Sequence, residues 1–151
     1  MDTSALLKLL VPEFNEPGPK NLRSYLEAGI QLHTCDHCIG EAMGILKKKW
    51  ISKKEKPNLT TDGYLKVINR LNWKIDNKKL VVHQFPLSKY FDKSIEAVRK
   101  YKIDYIDALI LNYTLYSKRQ DLFVTADHNL SKAAREFGAL YWNILDAATP
   151  P

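Results

Sequence analysis

The stretch "YKIDYIDALILNY", Tyr101 to Tyr113, decides how the chain is read, because an acid sits inside its most apolar run. At 100° per residue, Ile106, Leu109, Ile110, Tyr113 and Tyr116 form one helical stripe, and Ala108, Leu111 and Leu115 form a second stripe opposite it. A helix that is apolar nearly all round is usually buried. Asp107 falls between the stripes with no basic residue three or four positions away, and taking an unpaired carboxylate out of water is costly. Two readings follow. In one, Asp104 is the N-cap and Asp107, at the third helical position, completes a variant capping box favoured by the helix dipole. In the other, Asp107 faces further carboxylates across a metal site.

Outward from this helix the chain alternates in type. "DLFVT" and "ALYWNI" read as strands around a helix at "NLSKAAREF". Upstream, Ser88–Tyr101 reads as a helix with Tyr90, Phe91, Ile95 and Val98 inward, and "KLVVHQF" as a short strand. "TTDGYLKVINRLNW" is a helix entered at Thr60 or Thr61. Ile39, Ala42, Met43, Leu46 and Trp50 keep the spacing of an amphipathic helix, with Trp50 as its last core anchor. "GIQLHT" is a strand, Asn21–Ala28 a short helix, and Pro12–Lys20 a turn-rich loop. Strands alternating with helices imply one α/β domain over residues 1–151, with a mainly parallel central sheet flanked by helices. Sites in such sheets form where strand C-termini meet helix N-termini. Asp127 follows a strand, Asp104 and Asp107 start a helix, Asp36 and Glu41 flank another junction, and Asp2 precedes a helix, so distant acids converge on one rim.

The 151 residues, 45% hydrophobic, suffice for one real core. No segment approaches the ~20 apolar residues of a membrane span. "MDTSALLKLLVPE" lacks a basic region and a small-residue cleavage site, so the cytoplasm is the expected location. Lys and Arg outnumber acids 23 to 17, a net charge of +6. This excess is compatible with a nucleic-acid partner without requiring one. Six lysines fall between Lys47 and Lys56, and a second basic cluster spans Trp73 to Lys79; a solvated helix end is the competing reading of each. Cys35 and Cys38, in "HTCDHC", have a spacing that suits zinc or a redox pair. A structural zinc site needs four ligands and no second pair follows, so buried cysteines at a strand-to-helix turn are the preferred reading.

Three blocks carry a family resemblance: "MDTSALLKLL", "CIGEAMGIL", and "IDYIDALILNY" followed by "LFVTADHNL". In order and separation they resemble the PIN domain, the ribonuclease domain of VapC-type toxins. Residues 47–84 are longer than the resemblance accounts for and read as an enlarged helical and basic segment. The resemblance implies an acidic site of Asp2, Glu41, Asp107 and Asp127, with Asp104 as a possible further member and Ser4 and Thr125 as supporting hydroxyls. Glu41 is selected by the resemblance alone, since on the helical wheel it lies roughly opposite the Ile39/Met43/Leu46 stripe. A helix packed on two sides, with Cys38 and Ile45 flanking it, would reconcile the two. Carboxylates within ~6 Å repel by roughly 3 kcal/mol per pair at an effective dielectric of 20, and stay ionised together only around cations. Oxygen-only ligation favours Mg²⁺ or Mn²⁺.

The activity so implied is metal-dependent endonucleolytic cleavage of RNA, with Lys47, Lys48 and Lys49 holding backbone phosphates. Toxin-type relatives add the expectations of a cognate antitoxin and a homodimer. The competing classes are a non-catalytic RNA-binding or protein-interaction module on the same fold, and an unrelated α/β protein whose acids do not cluster.

Overall fold

The computed structural model describes residues 1–11, 17–52, 59–85, 87–116, 121–146 and 149–151. The chain runs α1 (Thr3–Leu10), α2 (Pro17–Glu27), β1 (Leu32–Cys35), α3 (Asp36–Ile51), α4 (Thr61–Asp76), β2 (Leu80–His83), α5 (Leu87–Tyr101), α6 (Tyr105–Tyr116), β3 (Phe123–Thr125), α7 (His128–Glu136) and β4 (Tyr141–Asn143). This is the α/β alternation expected from the sequence, and every described strand pairing is parallel.

The sheet consists of two parallel pairs, β1 with β2 and β3 with β4. Leu32 pairs with Leu80 and Cys35 with His83; Phe123 pairs with Tyr141 and Thr125 with Asn143. Met1 and Asp2 bridge the pairs. The Met1 amino group donates to the His33 carbonyl at 2.6 Å, and the Asp2 amide donates to the Val124 carbonyl at 3.1 Å. Two residues tie the halves together but are too few to form a ladder, so the sheet reads as two halves.

Helix α6 packs chiefly on α5, and its middle is buried all round from Ala108 to Asn112. Asn112 donates to Ser94 Oγ of α5 and to the Ala108 carbonyl. Leu115 and Tyr116, at the end of the expected stripes, are partly exposed. In α5 the expected inward face is displaced: Tyr90 is buried but Phe91 is 52% exposed, resting against Tyr105.

Two boundaries differ from the sequence reading. Helix α2 starts at Pro17 rather than Asn21, because proline fits the first helical turn. The remainder of the expected loop, residues 12–16, lies outside the described residues. Trp50 is not a core anchor. It stacks on Tyr64 at 4.8 Å, its indole N–H donates to Thr61 Oγ1, and it stays 38% exposed. The buried stripe of α3 is instead Cys38, Ala42 and Leu46, rotated toward Glu41.

Candidate active site

The acids singled out in the sequence sit on the rim where strands end and helices begin. Asp2 is the most firmly held. As N-cap of α1 it accepts the Ala5 amide through Oδ1 at 2.9 Å. Its Oδ2 accepts the hydroxyls of Ser4 and Thr125, each at 2.7 Å. It is only 2% exposed. Burial raises the pKa of its carboxyl, and the Thr125, Ala5 and Ser4 donors oppose that rise.

Ser4 and Thr125 also tie this acid to the next. Ser4 Oγ accepts the Ala126 amide at 2.8 Å, and Thr125 Oγ1 accepts the Asp127 amide at 3.0 Å. Asp127 caps α7 by accepting the Leu130 amide through Oδ1. Asp2 and Asp127, 125 positions apart in the chain, are therefore joined through one hydroxyl.

Glu41 is exposed on α3, and the Thr3 hydroxyl donates to its Oε2 at 2.6 Å. Helix α3 packs against α1, α4 and β1, with Cys38 buried and Ile45 half-buried beside Glu41, and a threonine 38 residues away orients its carboxylate. Thr3 is the residue the sequence reading missed. The signal was present in the paired hydroxyls that follow Asp2, of which only Ser4 was selected.

Asp107 lies at the third position of α6. Among the described residues, neither it nor Asp104 caps α6 through its side chain, which removes the capping-box reading; only the Asp104 carbonyl serves, accepting the Ala108 amide. Asp107 is half-buried and makes no hydrogen bond among the described residues. Its carboxyl is pushed up to about 7, first by burial and then by the charges of Asp2, Asp104, Glu41 and Asp127. Four acids from three other parts of the chain and its own helix start act on one unpaired carboxylate.

The cluster is open. Among the described residues no three of these carboxylates bring oxygens within 4.8 Å of one another; the trio that does approach so closely is Cys35, Asp36 and His37. That trio is self-satisfied in part, with Asp36 Oδ1 2.7 Å from His37 Nδ1. Cys35 caps α3 through sulfur and donates to Cys38 at 3.4 Å, and both thiols are buried and free, as expected for cysteines at a strand-to-helix turn.

A family comparison adds to this geometry: a model of the PIN domain family matches residues 1–136. The chain belongs to the PIN domain family. The match spans all three blocks on which the resemblance rested and the intervening residues 47–84 as well. PIN domains are nuclease-type domains, which places the chain among hydrolases of nucleic acids. No curated protein and no solved structure matches it. No described helix is long and apolar enough to cross a membrane.

The donor set suits a hard divalent cation. Among the described residues, Asp107 keeps both carboxylate oxygens free of hydrogen bonds, Glu41 keeps Oε1 and Asp127 keeps Oδ2. An ion such as Mg²⁺ takes few direct protein ligands and retains several waters, so carboxylates spread over an open rim fit it better than a tight cage would. Lys47 and Lys48 are exposed on the outer half of α3, and Lys49 is half-exposed.

Proposed function

We propose that this PIN domain is a divalent-metal-dependent endoribonuclease, with Asp2, Glu41, Asp107 and Asp127 as its acidic site, and that it acts as the toxin of a toxin–antitoxin pair. The observation that carries the site is Asp107: a half-buried carboxylate with no hydrogen bond among the described residues, its pKa raised first by burial and then by four neighbouring acids. Structural acids are normally paired or capped, and among the described residues this one is neither.

In this reading each residue has a distinct task. Asp2, locked by Ala5, Ser4 and Thr125, supplies a fixed ligand whose direction does not change on binding. Asp107 and Asp127 complete the hold on the ion, and Asp104 adds negative field at the helix start. Glu41, oriented by Thr3, positions the attacking water through its free oxygen. Bound Mg²⁺ or Mn²⁺ would activate that water and neutralise charge on the scissile phosphate. Lys47, Lys48 and Lys49 hold backbone phosphates beside the cut.

Asp107→Asn tests the assignment. It preserves shape and removes the charge offered to a cation. Cleavage of a fluorescent RNA in millimolar Mg²⁺ should fall at least ~10²-fold, a few kcal/mol of transition-state stabilisation. The variant should stay folded and be at least as stable as the parent in chelator. Unchanged cleavage by folded Asp107→Asn protein would remove Asp107 from the site. Absence of any cleavage by the unmodified protein, with RNA still bound, would favour a non-catalytic RNA-binding module.

A further inference from the structure

The segment "HTCDHC" holds two thiols that the acidic site does not use. Cys35 ends β1, and Cys38 sits in the first turn of α3. The Cys35 thiol donates to Cys38 Sγ at 3.4 Å, and Cys35 Sγ accepts the Cys38 amide at 3.4 Å. No atom fits between sulfurs at that separation. A disulfide of about 2.05 Å needs them to close by only about 1.4 Å.

Buried cysteines in apolar surroundings are usually inert. This pair differs in two respects. Its members are unlike: the Cys35 bond draws the Cys38 thiol down against the effect of burial, while that same bond and burial push the Cys35 thiol up. One sulfur is the readier nucleophile and the other keeps its proton, the division of labour of a dithiol that reacts in two steps. The pair also borders the acidic site. Cys38 and Glu41 lie three residues apart on α3, so their side chains are neighbours. Thr3 lies against both: its hydroxyl favours a charged Cys38 sulfur and donates to Glu41 Oε2 at 2.6 Å.

We propose that Cys35 and Cys38 form a reversible disulfide with hydrogen peroxide as the oxidant, and that Thr3 carries the change to Glu41. Both sulfurs are enclosed, at 1% and 0% exposure, which favours a molecule of two oxygens over a bulky disulfide as the reactant. The Cys38 thiolate attacks one peroxide oxygen. The O–O bond breaks, and the departing hydroxide takes up the proton that Cys38 gave up and leaves as water. Cys38 is then a sulfenic acid. The Cys35 sulfur attacks the Cys38 sulfur, the S–O bond breaks, and the leaving hydroxide takes the Cys35 proton. Two thiols and one peroxide become one disulfide and two waters, and a thiol reductant reverses the change. Closure pulls the first turn of α3 toward the end of β1 and withdraws the Cys38 sulfur from Thr3, which loosens the hold on Glu41. The disulfide is independent of the nuclease reading; its effect on cleavage rests on that reading.

The test exposes the folded, unmodified protein to hydrogen peroxide, then denatures and alkylates it. Its mass should fall by two hydrogens, neither thiol should alkylate, and dithiothreitol should restore both. Cys35→Ser keeps an N-cap side chain and removes the second thiol. This variant should gain oxygen at Cys38 instead of losing hydrogens. In the oxidised unmodified protein the amide NMR signals of Thr3 and Glu41 should shift. Cleavage of RNA in Mg²⁺ should drop by about ten-fold and return with dithiothreitol. Thiols that still alkylate after peroxide, a disulfide between two copies, or oxygen added without a disulfide would overturn the proposal. So would a disulfide that leaves the Thr3 and Glu41 signals, or cleavage, unchanged. If the reduced protein cleaves no RNA, the nuclease reading fails by itself, and the mass and NMR measurements still decide whether the thiol pair is a switch.

Discussion

Asp107 concentrates the physical tension of this molecule. An ordinary aspartate ionises near 3.8, while this one is pushed up to about 7 by burial and by its acidic neighbours. Between those values the folded state holds a proton that the unfolded state has already released. Stability therefore falls as pH rises through that window, and the full penalty is present above about 7. Asp2, raised by burial, acts in the same direction. The stability gained by Asp107→Asn in chelator should thus be near zero at pH 4, grow toward pH 7 and level off at pH 8. Urea denaturation at four pH values measures it; a gain independent of pH would mean that the charge at 107 is not what strains the fold. A divalent cation should offset the same strain. Millimolar Mg²⁺ or Mn²⁺ is expected to raise the melting temperature more at pH 8 than at pH 5, because protons compete for the ligands below about 7. An equal response at both values would place cation binding elsewhere.

At the scale of elements, α2 depends on one small residue. A Cβ at Gly18 would fall on the carbonyl of Ile144, just after β4. Gly18→Ala must push α2 outward, at a cost of about 1–3 kcal/mol from overpacking. A loss of that size in chemical denaturation is the expected result; no loss would mean that α2 shifts freely over β4. The start of α2 also shows what the sequence conceals. "PGPK" has turn chemistry, and only the tolerance of a first helical turn for proline turns it into a helix. The longer helices were legible because apolar periodicity reports burial over three or four turns, and Thr60 announced α4 by capping it through the Gly63 amide. Phase was less legible than existence. The α3 stripe is centred on Cys38 rather than Ile39, and that rotation brings Glu41 to the edge of the packed face. Strand alternation likewise reports that β1 and β3 are strands without reporting their neighbours. Of the acids, Asp127 and Asp107 stood out by position, but the Thr3 bond to Glu41 joins residues 38 apart and could only be seen in three dimensions.

Across the whole molecule, charge is divided between an acidic rim and basic helix surfaces. The net +6 is carried by a chain whose acids at positions 2, 41, 104 and 127 all act on Asp107. A polyanion approaching that rim needs cationic contacts beside it, and α3 offers them on the helix that carries Glu41. From Glu41 to Lys48 is about two turns, ~10 Å at 1.5 Å per residue. The helix is continuous from Asp36 to Ile51, so the spacing is rigid, while the further lysines 53, 54 and 56 lie outside the described residues. Contacts of this kind hold phosphates without reading bases, and each releases counterions on binding. Lys48→Gln with Lys49→Gln should therefore weaken binding to all RNA sequences alike and flatten the slope of log affinity against log salt by about one to two units. Divalent-cation stabilisation should be unchanged, since neither side chain belongs to the acidic set. Affinity and salt slope equal to those of the unmodified protein would make this end of α3 a solvated surface, and the RNA path would then have to leave the rim over another face.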